Sequence, residues 1–256
     1  MRLVLFCESS ADAEMAKTLV DRVLREHGPS WVGELMESDP VHVREWSNDH
    51  ARRDFFDVHA LDKYLQHYKV RPLQGHFDGK KGAAGAQMAR NIFSIVRAME
   101  NAARDPVRHD AVCIVWDMDA QSKERRNGLE QARTEATTWA SFKIVYGCPD
   151  PEQEAWILAG FEPETDEERE GLEKLRRELG FCPVRNVQLA DATSDGAKKN
   201  PKRILSELIG DHHERRLRCL SSPLDTLRQT GAQSGLCAFL DEVQQQILPF
   251  VMRSSK

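Results

Sequence analysis

Ala111-Val112-Cys113-Ile114-Val115-Trp116-Asp117-Met118-Asp119 is the stretch whose reading decides the fold. A run of apolar, largely β-branched residues ends abruptly in two carboxylates. A strand buried on both faces reads as such a continuous run, because helices cover both sides of a parallel sheet. Open α/β sheets place ligand and metal sites at the carboxyl ends of their strands. Residues i and i+2 of a strand point the same way, so Asp117 and Asp119 share one cation if the strand runs that far. The plainer alternative is a strand followed by a solvated, Asp-containing turn.

Upstream, residues 2–7 form a short apolar run followed by Glu8-Ser9-Ser10-Ala11-Asp12. Ser10 or Asp12 caps a helix over roughly 12–27, whose inner face is Met15, Leu19, Val20, Val23 and Leu24. Strand, tight turn and helix open an α/β fold. Glu8 then sits at a strand end and Asp12 in the first helical turn, where the two could converge; alternatively Asp12 only complements the helix dipole. Downstream, Phe142–Gly147 reads as another strand, followed by Cys148-Pro149-Asp150-Pro151 and Glu152–Ala159. Pro151 suits the first turn of a helix. Glu154 lies one turn in, with Trp156 and Ile157 entering the core.

The remaining segments are less regular. Val41–Trp46 reads as a half-exposed strand and Ala60–Tyr68 as a short helix. Gly75–Gly82 is a loop entering a helix near 84–104; it lacks the P-loop order of glycines followed by Lys-Ser/Thr. It is either a plain connection or brings Lys80 and Lys81 to a nucleic-acid backbone. Polar helices are expected near 121–138 and 162–179. The polar stretch Asp191–Asn200 leads into Lys198–Arg203 and a helix at 202–209, and a C-terminal helix is expected near 234–248. His212 and His213 are adjacent, and successive helical side chains diverge by about 100°, so they read as surface residues rather than a metal pair. The expected organisation is an α/β core over 1–160, with a mainly parallel sheet flanked by helices, and a mainly helical region over 161–256 packed on it.

Composition sets outer bounds. The chain has 256 residues, 40% hydrophobic and 30% charged, as an ordinary globular protein does. No apolar run reaches the ~20 residues of a membrane span, and the N-terminus turns polar too soon for a secretory signal. A net charge of -5 argues against a general polyanion binder, so nucleic-acid contact has to come from local patches. The six cysteines include no C-x-x-C pair, and Cys7 and Cys113 sit inside apolar runs as buried thiols. A cytoplasmic location is expected.

Three strand ends thus carry acids: Glu8 with Asp12, Asp117 with Asp119, and the Glu152/Glu154 pair. Magnesium takes octahedral oxygen coordination from a few carboxylates, water and phosphate. Two such ions can activate water and stabilise the leaving oxygen in phosphodiester hydrolysis. The ordered set resembles the Toprim domain of topoisomerases, bacterial primases and overcoming-lysogenization-defect nucleases, which has a glutamate after its first strand and a D-x-D after a later hydrophobic strand. Glu8 and Asp117/Asp119 match those positions, and Asp12 has the four-residue spacing of the second acid in the nuclease branch. Pro151, Glu154 and Trp156 look like the P-x-x-E-x-W-type segment of small stand-alone Toprim-like proteins of prokaryotic defence loci.

The resemblance spans roughly residues 1–160 and, more loosely, Lys198–Arg203. It implies a Toprim-like, Mg²⁺-dependent nuclease, with Mn²⁺ able to substitute, acting on nucleic acid (DNA ahead of RNA) in anti-phage defence. It also implies a partner ATPase or other defence-system protein. Glu8, Asp117 and Asp119 would be metal ligands, with Asp12 and Glu154 ligands of a second metal; Glu8 could instead be a general acid or base. Lys198, Lys199 or Lys202 would neutralise developing phosphate charge, unless they are only a surface patch. Two departures stand out: Ser9 replaces the glycine that usually follows the first glutamate, and neither a topoisomerase tyrosine domain nor an ATPase is present in this sequence. Two other readings compete. A haloacid-dehalogenase-like phosphatase would use Asp117 as nucleophile and Asp119 as acid, but has Gln121 where its motif carries Thr or Val and leaves Glu8 unexplained. A non-catalytic regulatory module would keep the fold and act through a partner.

Overall fold

The computed structural model describes residues 1–72, 76–77, 80–81, 85–102 and 108–253. Gly75, Asp78, Gly79 and Gly82 of the expected loop, and Ala84, Ala103 and Arg104 of the expected 84–104 helix, lie outside these. The chain is α/β, with a mainly parallel sheet flanked by helices. It forms two compact units that are discontinuous in sequence: Met1–Trp116 with Lys123–Tyr146 and Glu242–Lys256, and Asp117–Ser122 with Gly147–Asp241. These units do not follow the 1–160 and 161–256 division.

The first unit is built on β1 (Arg2–Cys7). Its residues Leu3 to Cys7 are all fully buried, as expected of a strand covered on both faces. One edge pairs in parallel with β6 (Ala111–Val115), in the register Leu3↔Ala111 to Phe6↔Ile114. The other edge takes two short parallel strands in succession: β2 (Glu45–Trp46) beside Arg2 and Leu3, then β3 (Phe56–Asp57) beside Phe6 and Cys7. β7 (Lys143–Gly147) lies beyond β6. The half-exposed strand expected over Val41–Trp46 shrinks to β2, because Pro40–His42 forms a 3₁₀ turn ahead of it. Backbone pairing of His76–Phe77 (β4) with Lys80–Lys81 (β5) makes a small antiparallel ribbon within the expected loop.

Among the described residues, four α-helices precede β6: α1 (Ser10–His27), α2 (Ser30–Ser38), α3 (Leu61–His67) and α4 (Ala86–Ala102). α1 packs on β1 and β6 and buries Met15, Leu19, Val20, Val23 and Leu24, the face read from the spacing. α5 (Ser122–Ala136) leads back to β7. Glu242 accepts from the Arg133 guanidinium at 2.6 Å and from the backbone N–H of Tyr146 at 2.8 Å, tying the C-terminal segment to this unit. All six cysteines are free thiols, and burial pushes Cys7 and Cys113 far above their ordinary range.

The second unit is mainly helical and organised around α6 (Glu154–Ala159), every residue of which is buried. α7 (Asp166–Leu179), α8 (Pro201–Ile209), α9 (His213–Cys219), α10 (Leu224–Thr230) and α11 (Leu236–Glu242) follow, the last residue of α11 belonging to the first unit. Trp156 anchors the centre: its ring stacks on Phe239 at 5.2 Å and its Nε1–H donates to the carbonyl of Ser234. Arg215 is buried over the Phe161 ring and paired with Glu168 at 2.7 Å. The expected C-terminal helix is broken into α11, a π-helical turn over Val243–Ile247 and α12 (Leu248–Arg253). Among the described residues no helix is long and apolar enough to cross a membrane.

Candidate functional site

Glu8 and Asp12 belong to the first unit, whereas Asp117, Asp119, Glu154, Lys198 and Lys199 belong to the second. In the first, the parallel register of β1 and β6 brings the residues after each strand, Glu8 and Trp116, to the same carboxyl edge. Glu8 is half-buried, and its Oε1 lies 3.5 Å from Nε2 of His59. His59 carried no sequence signal; it reaches Glu8 because β3 pairs with β1 and the chain turns immediately after it. Glu8 also lines a cleft of about 590 Å³ with Ser9, Ser10, Arg52, Arg53 and Asp57.

The N-cap of α1 is Ser9, one residue ahead of the expected Ser10 or Asp12. Its hydroxyl donates to Asp12 Oδ2 at 2.8 Å and accepts from the Asp12 N–H at 3.2 Å. The second bond satisfies one of the backbone N–H groups that a helix start leaves open, and the first fixes the hydroxyl that accepts it. Ser9 therefore has a defined structural role, and buried Asp12 is its partner.

In the second unit, the D-x-D does not continue a strand. β6 stops at Val115 and Asp119 opens a 3₁₀ turn over Asp119–Gln121, so the alternation that would aim Asp117 and Asp119 alike does not apply. The Met118 N–H donates to Pro149 O, and the Asp119 N–H donates to Pro151 O. Asp119 adopts φ 46°, a left-handed conformation that Asp tolerates better than most residues. Pro151 is not in the first turn of a helix; it follows a cis peptide bond, and α6 starts at Glu154.

The charge of Asp119 acts on Glu152. Burial raises the Glu152 carboxyl above its ordinary range; the charges of Glu154 and Asp119 raise it further, while Lys202 and Asn200 oppose them. Asn200 is fully buried and caps α8: its Oδ1 accepts from the Arg203 N–H, and its Nδ2 donates to Glu152 Oε1 at 3.4 Å and to Ala192 O. Its position was readable, since Asn before Pro marks a helix start. Buried Glu154 lies 3.8 Å from the Arg216 guanidinium. Lys198 pairs with Glu178 at 3.4 Å and Lys199 lies over the Phe181 ring, so of the three lysines it is Lys202 that acts on Glu152.

Among the described residues, no three His, Cys, Asp or Glu side chains are arranged to hold a metal ion. Compared with known proteins, the chain matches no family model, no curated protein and no solved structure.

Proposed function

We propose that this chain is a Mg²⁺-dependent, Toprim-like nuclease that hydrolyses phosphodiester bonds of nucleic acid, working with a partner in prokaryotic defence. The observation that carries the reading is the fixing of Asp119, with φ 46°, against the Pro151 carbonyl beside Glu152 and Glu154. That bond holds the second acid of the D-x-D where its charge opposes the ionisation of Glu152. The proposed ligands are Asp117 and Asp119 with Glu154 in the second unit, and Glu8 with Asp12 in the first, Glu8 alternatively acting as general acid or base. Bound Mg²⁺ would supply charge stabilisation and a more acidic water. The chain's own cations have the task of holding a phosphate against this acidic group, and Lys202 is the best placed of them.

Incubation of end-labelled single- and double-stranded DNA and RNA with the full chain tests the proposal. Cleavage is expected with Mg²⁺ or Mn²⁺, none in EDTA, and loss in both Asp119→Asn and Glu8→Gln. Cleavage that persists in both variants, or its absence on every substrate, would contradict it.

A further inference from the structure

The turn over residues 49–53 is held rigidly from inside. Asp49 is 5% exposed, and its carboxylate accepts from the N–H groups of Ala51 and Arg53, from Arg53 Nε and from the Tyr64 hydroxyl. Burial works to raise its pKa, but these four donors together outweigh burial and hold it below the ordinary range. The turn is thereby locked to α3, and what it presents outward is His50, which is exposed.

The His50 ring stands edge-on to Tyr64 and stacks on His67, with centroids 5.8 Å apart and planes 27° apart. His67 in turn meets the Tyr68 ring edge-to-face at 4.7 Å. His50 and His67 are exposed and Tyr68 is half-buried, so the three rings form a continuous aromatic surface. Lys63 stands one helical turn before His67 on the exposed side of α3, and Lys69 and Arg71 follow it, all exposed. Elsewhere the chain pairs its arginines closely, Arg44 with Asp21 and Arg90 with Glu135 among them. Lys63, Lys69 and Arg71 form no ion pair among the described residues. Lys69 also ends α3 with φ 54°, where glycine is the usual residue. Asp62, the acid of this helix, lies in its first turn.

Stacked rings flanked by cations that have no ion-pair partner among the described residues match the two demands of an unpaired polynucleotide strand: faces for the bases and charge for the phosphates. We infer that the surface formed by His50, His67 and Tyr68 with Lys63, Lys69 and Arg71 binds a single-stranded segment of nucleic acid. The inference deepens the proposed nuclease reading, and rests on it for the purpose of the contact. Its position fits that purpose, because Arg52 and Arg53 of the same turn line the cleft that holds Glu8.

The test is fluorescence anisotropy of labelled single-stranded DNA, single-stranded RNA and blunt duplex DNA with the full chain in EDTA, where neither metal nor cleavage is needed. Both single strands should bind more tightly than the duplex, and the two arms report any preference between them. His50→Ala/His67→Ala should weaken single-strand binding about tenfold with its salt dependence unchanged. Lys69→Gln/Arg71→Gln should weaken it and reduce the log–log salt slope by about 1.4, at ~0.7 per phosphate contact. Lys174→Gln/Arg177→Gln, an equal loss of charge on α7, should leave it unchanged. Circular dichroism checks that each variant is folded. Absent single-strand binding, tighter duplex binding, or patch variants that bind as the wild type does would overturn the inference. Binding as described from a chain that cleaves nothing would uphold this surface and defeat the nuclease reading alone.

Discussion

The backbone N–H of Asp119 donates to the carbonyl oxygen of Pro151 across 3.0 Å. Two segments separated by a helix and a strand in sequence are thereby fixed to each other, and each carries acids. The second unit owes its acidic group to this bond and to its neighbour from Met118 to Pro149.

The lysines after residue 197 are not equivalent. Lys198 is engaged by Glu178 and Lys199 by Phe181, whereas the charge of Lys202 acts on Glu152. Under the nuclease reading, Lys202→Ala should lower kcat/KM by about 100-fold, the lower end for removal of a group that stabilises developing charge. Lys198→Ala/Lys199→Ala should stay within about threefold, since the default exposed lysine contributes little. Oligonucleotide cleavage kinetics make the comparison.

Glycine is required at 160 by close approach. A Cβ there would sit 2.0 Å from the Cys219 carbonyl oxygen and 2.7 Å from Leu227 Cδ2. Gly160→Ala should cost about 1–3 kcal/mol or more, as forced overpacking does. Gly33, inside α2 with nothing within 4 Å of a built Cβ, is the contrast. Gly33→Ala should gain up to ~1 kcal/mol from helix propensity. Urea denaturation measures both.

Asp49→Ala should destabilise the first unit by about 2–4 kcal/mol, because Tyr64 and two backbone N–H groups lose a buried acceptor. The carboxyl is depressed below its ordinary 3.8. Its contribution is therefore complete above that value and lost as pH falls through the lower folded pKa. Denaturation midpoints below pH about 4 should converge for wild type and variant.

His109 gives a pH dependence of opposite origin. It is 4% exposed; burial lowers its pKa below the ordinary 6.5, against the pull of Glu100. The unfolded chain then takes up a proton before the folded one does. Stability should fall as pH drops from 6.5 toward the lowered folded value, and His109→Gln should remove that slope. Thermal melts between pH 7 and pH 5 would show it.

The long elements were legible because each carries a period. The runs 2–7 and 111–116 read as buried strands, and the spacing of Met15, Leu19, Val23 and Leu24 gave the inner face of α1. The two-residue strands β2 and β3 were not legible, since two residues have no period and their pairing depends on contacts far along the chain. His59 was missed for that reason, as it reaches Glu8 only through β3. The D-x-D was legible as an acidic strand end, and the plainer of its two readings, a strand followed by an Asp-containing turn, is the one the structure adopts; the bonds from Met118 and Asp119 to Pro149 and Pro151 that shape this turn were not legible. The discontinuous units were equally hidden, since residues 117–122 join 147–241 through packing. Asn200 could have been found from the Asn-Pro signal alone, but its bond to Glu152 could not.

The most direct measurement is a Mn²⁺ titration of the full chain by calorimetry, for wild type and for Asp117→Asn/Asp119→Asn. The account predicts saturable binding by the wild type that the double variant loses while its circular dichroism spectrum stays intact. Equal, weak binding by both proteins would contradict a metal site at the end of this strand, and with it the nuclease reading.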